Sequence, residues 1–470
     1  MILSKRILLF FGCVFLNFLF ILHSQTPAKR SFEEDILNIY EGQLKQAYAA
    51  RGMSESEIAR YLGRGKENIY SLEGFADELQ SLFPYKSGQK TAILFYIFNN
   101  DTLFRYFLTP GTILEQKAIP IKKEELEQLN KDVLSALNIY KLVENRAPRE
   151  RGLKLKKEPG KSVPKLQDVI QKATELLIPS SFDEKFQHLI VIPSFSIGVF
   201  PFQLLQPYKD SAYLIDKCSF SIAPSLLDLV AIRKRMTKSR NGEYLRGDNE
   251  WRSVDSIAFT FDNPLFVCNP FYPKNTKFIF PDLPGAEKEI EGSLTVAENY
   301  VLLKGKDATK KNVLPKIRDC DVAYFATHGI SGDVNPLDNN FLVLAGEKDP
   351  FLSARNIMAL RDSTFLGSYK FPQMVILSAC QTGLGKSMEA GITAGLVRAF
   401  LVAGASQVIM SLWNVDDEAT AYLMNRFVHY LRQHNQFCPS EPLRLAQLDT
   451  RKKFPNPAKW ASFSVFGVNY

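Results

Sequence analysis

Between Lys90 and the end of the chain, apolar residues fall into two patterns: short unbroken runs, and longer stretches where they recur every three or four positions. Runs of the first kind read as buried strands and stretches of the second as amphipathic helices. Thr91–Phe98 and Leu103–Leu108, separated by Asn99-Asn100-Asp101, predict a β-hairpin that opens a new domain. Helices are expected over Lys122–Leu142 and Leu166–Leu177, followed by a strand over His188–Pro193. Farther on, strands are expected at Pro264–Cys268, Val301–Leu303, Val322–Thr327, Phe341–Leu344, Met374–Leu377 and Gln407–Met410. Helices starting near Pro284 and Ala308, and spanning Gly391–Val402 and Glu418–Leu431, alternate with them. Apolar strands interleaved with helices predict an α/β fold whose mostly parallel sheet is covered on both faces.

The first 90 residues follow a different pattern. Lys5 and Arg6 precede an apolar run from Ile7 to Leu22 and a polar stretch at His23–Pro27, the layout of a secretory signal. Residues 1–25 are therefore expected to act as a cleaved signal peptide and send the chain to a secreted or periplasmic location. An uncleaved membrane anchor is the alternative, and the only source of membrane contact. Residues 31–86 read as a short helical lead-in, with Ser31 and Glu34 spaced as a capping box. No repeat of about 34 residues is visible there, which argues against a tetratricopeptide array.

Composition narrows the function class only modestly. Of 470 residues, 46% are hydrophobic and 23% charged, as in ordinary folded proteins. Much of the net charge of +8 lies in two Pro-, Gly- and Ser-broken segments, Arg146–Lys165 and Arg233–Arg246. Both read as solvated loops, so no nucleic-acid partner is expected. The six cysteines are scattered without close pairs, which speaks against a zinc site; no metal or other cofactor is expected. If Cys13 leaves with a signal peptide, the odd remainder leaves at least one thiol free or paired between molecules.

Two strands end in residues that match chemically: Tyr324-Phe-Ala-Thr-His328-Gly329 and Ile376-Leu-Ser-Ala-Cys380-Gln381. Ligand sites in open parallel sheets lie beyond the carboxyl ends of the strands, where residues from neighbouring strands converge. An imidazole beside a thiol can take its proton, and the thiolate can then attack an amide carbonyl. The backbone N–H groups of Gly329 and Cys380 are candidate donors to the resulting oxyanion. Taken singly, Cys380 reads as a buried cysteine and His328 as a hydrogen-bonded strand-end histidine. Their separation of 52 residues is close to the roughly 50 by which histidine precedes cysteine in caspase-like enzymes. Gly383-Leu-Gly385-Lys386-Ser387 imitates a phosphate-binding loop, but Cys380 stands where its first glycine is required.

These segments resemble the CHAT family of caspase-like peptidases, relatives of caspases and separases. The likeness runs through Leu189–Pro193, Phe200–Leu205, Leu283–Glu289, Asp307–Lys310, Ala326–Gly329, Leu377–Gly383, Ala403–Ala405, Ser411–Trp413, Trp460–Phe463 and Gly467, covering most of Lys90–Tyr470. It implies a caspase-like fold, a degenerate half over residues 90–246, a catalytic half over 256–470, and a His328/Cys380 dyad acting on a protein or peptide substrate. Export adds a separate reading, in which activity is gated by a regulatory protein partner, and a catalytically silent interaction module is the alternative. Asp416 and Asp417 resemble a segment lining the primary specificity site of separases, where a carboxylate would pair with a basic substrate residue. They also precede a helix, whose N-terminus favours acids in its own right.

Overall fold

The computed structural model describes residues 90–109, 112–139, 163–223, 225, 261–274, 276, 278, 280–295, 297, 299–330, 336–364, 371–378, 395–413, 416–433 and 439–467. The expected signal segment and helical lead-in, the first basic loop up to residue 162 and the whole of the second lie outside them.

The first group of elements comprises β1 (Thr91–Asn99), β2 (Thr102–Thr109), β3 (Thr112–Pro120), α1 (Lys123–Ala136), α2 (Leu166–Leu177), β4 (His188–Ile192), α3 (Leu214–Lys217) and β5 (Ser219–Ile222). The expected hairpin is present as β1 and β2, turning through Asn100 and Asp101, both at positive φ. β3 extends it to a three-stranded antiparallel meander. That strand was not foreseen because it is a sheet edge with mostly exposed side chains, Ile113 and Leu114 among them, and so has no buried run.

The second group begins with β6 (Leu265–Pro270), α4 (Pro284–Leu294), β7 (Val301–Gly305), α5 (Lys310–Ile317), β8 (Val322–Ala326), β9 (Gly329–Ile330), α6 (Pro336–Asn339), β10 (Phe341–Val343), β11 (Phe351–Ser353) and α7 (Ala354–Thr364). It ends with β12 (Met374–Leu377), α8 (Leu396–Ala403), β13 (Gln407–Ser411), α9 (Asp417–Gln433), α10 (Ser440–Lys453), α11 (Pro457–Trp460) and β14 (Phe463–Gly467). Eleven strands form one sheet in the order β3-β2-β1-β4-β5-β14-β13-β12-β8-β6-β7. All neighbours from β1 to β7 in that order run parallel except β13 and β14, which are antiparallel. The run at Phe341 is strand β10 as expected, but it belongs to a separate antiparallel sheet, β11-β10-β9.

Alternation along the strands divides the core between the two faces of the sheet. Val322, Tyr324 and Ala326 of β8 join Ile376, Ile409 and Val465 against α4 (Ala286, Ile290), α9 (Leu423, Phe427) and α10 (Leu443, Ala446). The intervening Ala323 and Phe325 join Val375, Leu377, Val408 and Met410 against α5 (Val313, Ile317), α7 (Ile357) and α8 (Leu396, Phe400). Period two in the strands thus meets the helical period from both sides.

The two groups are joined through β14, which pairs with β13 on one side and with β5 on the other. Helices add to the seam. Arg444 of α10 donates to the Ile215 and Asp216 carbonyls of α3, and Arg451 pairs with the Asp216 carboxylate at 2.5 Å. Tyr213 packs edge-on to Trp460.

Gly467 closes β14 at φ +114°, and a Cβ placed there would lie 2.2 Å from the Ser406 carbonyl oxygen. Gly467→Ala is therefore expected to lower unfolding stability by about 1–3 kcal/mol or more, as left-handed strain adds to a backbone clash; urea denaturation measures this. A second expectation concerns His188, buried between Ser219 and Ser221 with its pKa pushed down to about 3 by desolvation. The unfolded chain then binds a proton that the folded chain refuses. This residue's contribution to stability is complete above its ordinary value near 6.5 and is lost progressively as pH falls toward 3. Urea midpoints measured across that interval are expected to fall less steeply with pH in a folded His188→Gln variant than in the wild type.

Candidate active site

At the carboxyl end of the sheet the chain reverses its direction of travel between strands. From β6 it moves outward through α4 to β7, then returns through α5 to β8 on the other side of β6. In open α/β sheets, ligand sites form at such switch points, because the two connections leave in opposite directions. Asn269, near the end of β6 and at φ +38°, governs the exit. Its amide oxygen accepts from the Leu283 N–H at 2.9 Å and its amide nitrogen donates to Glu287 at 2.9 Å, anchoring the start of α4. Pro284 occupies the first turn of that helix, where the lack of an N–H costs nothing.

His328 follows β8 by two residues and is 2% exposed. Its Nε2 lies 2.7 Å from the Pro281 carbonyl oxygen, just ahead of α4. A carbonyl can only accept, so Nε2 carries the proton and donates it, which in a neutral imidazole puts the lone pair on Nδ1. The imidazole is gripped by aromatic rings, with Tyr272 at 4.6 Å between centroids and 61° between planes, and Phe280 at 5.5 Å. The backbone beside it is equally fixed. The His328 carbonyl accepts from the Val343 N–H at 2.9 Å, and the Thr327 hydroxyl donates to the Val343 carbonyl at 2.6 Å.

Gly329 opens β9, the edge of the small sheet, opposite Leu342. The Val343-to-His328 bond marks the preceding opposed pair as a hydrogen-bonded one. Antiparallel pairs alternate, so the Gly329 N–H points away from β10 rather than toward it.

A second polar feature was not anticipated. Glu289 of α4 is 1% exposed; its carboxylate accepts a short hydrogen bond from the Tyr324 hydroxyl and another from the Ser378 hydroxyl at 3.0 Å. An available signal pointed to it: Ala286, Glu289, Ile290 and Ser293 are the buried stripe of α4, and an acid within an apolar stripe is anomalous. The Pro281 carbonyl, by contrast, is a backbone group that no side-chain pattern reveals.

Cys380, with its backbone N–H, lies outside the described residues, which follow β12 as far as Ser378. Asp416 caps α9: one carboxylate oxygen accepts from the Ala419 N–H at 3.1 Å, while the other faces Lys459 Nζ at 3.6 Å. Asp417 is exposed and lies over Gly285, where a Cβ would come within 2.6 Å of the Asp417 Cγ; the missing side chain lets α9 close onto the start of α4. Cys218, Cys268 and Cys320 are buried thiols, and burial pushes the ionisation of Cys218 and Cys320 well above the usual thiol range. No group of three or more His, Cys, Asp or Glu side chains able to hold a metal ion occurs among the described residues. Among those residues, no helix is long and apolar enough to cross a membrane.

Comparison with known proteins agrees with this architecture. Tetratricopeptide repeat protein 28 of Mus musculus is 23% identical over 320 residues, and that of Homo sapiens 24% over 315. In each case the alignment takes in 60% of this chain but only 12% of the relative's length. Among solved structures, the Saccharomyces cerevisiae separase–securin complex matches with a TM-score of 0.50 at 10% identity, covering 95% of this chain and 34% of that chain. The Arg-specific cysteine proteinase gingipain R matches with a TM-score of 0.42 at 10% identity, covering 74% and 75% respectively. The likeness to separase is one of fold, a mostly parallel sheet flanked by helices in the caspase-like manner. The CHAT domain model matches residues 167–468, starting inside α2 and so leaving β1 to β3 ahead of it. With well over half its length matched, the chain belongs to the CHAT domain family.

Proposed function

We propose that this protein is a cysteine endopeptidase in which His328 is the base and Cys380 the nucleophile. The carrying observation is the bond from His328 Nε2 to the Pro281 carbonyl, which fixes the tautomer whose Nδ1 can accept a proton. Register supports the pairing of the two residues. Leu377 of β12 is opposite Phe325 of β8, and three residues on from each come Cys380 and His328. The two residues therefore follow neighbouring parallel strands at equal offsets in the sequence, the spacing that a shared site beyond the strand ends requires.

In the reaction, the Cys380 Sγ passes its proton to His328 Nδ1 and bonds to the scissile carbonyl carbon. The carbonyl oxygen takes the negative charge, stabilised by the N–H groups of Gly329 and Cys380. Collapse of this intermediate breaks the C–N bond, and the leaving amine takes the proton from His328. Water then attacks the thioester, giving its proton to His328; release of the acid returns that proton to the thiol. No metal or organic cofactor enters these steps. Residues 256–470 supply the machinery and 90–246 a supporting half.

Specificity for basic residues fits Asp417 better than Asp416, because Asp417 is exposed near the start of α4 whereas Asp416 is engaged as a helix cap and faces Lys459. A controlling protein partner is consistent with the separase structure, which is a complex with securin. Residues 1–25 direct export as a signal peptide, with anchoring as the alternative; the N-terminus of protein recovered from the host distinguishes the two.

Iodoacetamide tests the dyad without a known substrate. At pH 7, Cys380 is expected to alkylate at least about tenfold faster than Cys218 and Cys320, and to lose that advantage in His328→Ala. Equal rates in the wild type would instead favour an interaction module. Specificity is read by digesting a peptide library with wild type beside Cys380→Ala. Cuts after Lys or Arg are expected, and Asp417→Asn is expected to weaken them by about tenfold or more; cuts without basic preference would remove Asp417 from this role.

A further inference from the structure

The sequence motif Leu283–Glu289 contributes more than packing. Glu289 places a carboxylate in the core face shared by Ile290, Tyr324 and Ile376, where desolvation makes a charge costly and hydrogen bonds must offset it. The two oxygens of that carboxylate reach different strands: one accepts from Tyr324 on β8, the other from Ser378 at the end of β12 at 3.0 Å. β8 and β12 are hydrogen-bonded neighbours, and in the sequence they precede the proposed base and nucleophile. Tyr324 precedes His328 by four residues, and Ser378 precedes Cys380 by two. Ser378 is held by its backbone as well, through a bond from its N–H to the Phe325 carbonyl at 3.0 Å. On the same connection, eight residues ahead of Glu289, the Pro281 carbonyl takes the Nε2 proton of His328.

From this arrangement we infer that Glu289 is a positioning residue for the thiol–imidazole pair, an inference that rests on the dyad proposed above. The turn before α4 sets the ring of His328, and the helix itself, through Glu289, ties down the strand end that leads into Cys380. One element therefore holds His328 and Ser378, two residues ahead of Cys380 in the sequence, in a common frame. The hydrogen bond to Ser378 is the informative contact. It reaches the first residue beyond β12, two ahead of Cys380 in the sequence. Displacement of a reacting group by about 1 Å can cost on the order of a hundredfold in rate, so a tether at this point acts on reactivity before it acts on stability.

Carboxamidomethylation of Cys380 by iodoacetamide, followed by mass spectrometry across pH 5–10, tests the inference on the full chain. The wild type is measured first, and Cys380 is expected to outpace Cys218 and Cys320. If it does not, the dyad fails and the positioning role fails with it, and this outcome is seen before any variant is made. Given a fast wild type, Ser378→Ala is expected to keep its melting temperature within about 3 °C, the change expected of a lost hydrogen bond in a chain of this size. Alkylation at Cys380 is expected to slow by about ten- to a hundredfold. The midpoint of the pH–rate profile is expected to move up toward the free-thiol value of about 8.5, a change that loss of packing alone does not produce. Ser378→Thr, which keeps the hydroxyl, is expected to restore the wild-type profile. Glu289→Leu is expected to behave as Ser378→Ala; should it fail to fold, Tyr324→Phe removes a single oxygen from the other end of the bridge and takes its place. Wild-type rates and an unmoved midpoint in folded Ser378→Ala and in the second variant would overturn the positioning role while leaving the dyad intact.

Discussion

The return of the chain across β6, from the edge strand β7 to β8, is the constraint on which the site depends. Helix-linked parallel strands must cross over on one face or the other, and a reversal of direction parts the connections at the carboxyl rim. Here the segment leaving β6 carries Tyr272, Phe280 and Pro281 into direct contact with His328, carried by the segment leaving β8. Imidazole, aromatic rings and backbone acceptor meet because the strand order brings their elements together, although the residues are separated in sequence by about half a domain.

Around His328 the chemistry is unevenly distributed. The described cysteines are packed into the core, where ionisation is suppressed for Cys218 and Cys320. The buried carboxylate of Glu289 is matched with the hydroxyls of Tyr324 and Ser378. Lys304 and Glu287 brace the outer side at 2.6 Å, an ion pair near solvent whose energetic weight is slight beside the packing of α4 on the sheet.

Much of this was legible in the sequence because period and composition coincide. Val322–Ala326 and Met374–Leu377 are apolar, short and flanked by polar residues, so their strands and the positions just past them could be read directly, and with them His328. β3 was not legible, since an edge strand with Glu115, Gln116 and Lys117 in its middle has no buried run. Neither was the role of β14, whose Phe463-Ser-Val-Phe-Gly467 alternates but does not reveal which two strands it joins. Phe341–Val343 is apolar enough for the main sheet; only its pairing with Gly329 and Ile330 assigns it to the small one. Glu289 illustrates the converse case, an acid that solubility would place outside and that hydrogen bonding places inside.

The central place of β14 bears on the order in which this protein can form. Every other strand of the large sheet precedes it in the sequence, yet it lies in the middle of the strand order and bridges β13 to β5. While the ribosome is still making residues before 463, the two blocks of strands can assemble separately but cannot be joined into one sheet, and β5 and β13 remain uncovered edges. Closure therefore comes late, through contacts of long sequence separation that are slow to find. A chain interrupted before Phe463 would retain much of its local structure and lack the strand that makes one sheet of it.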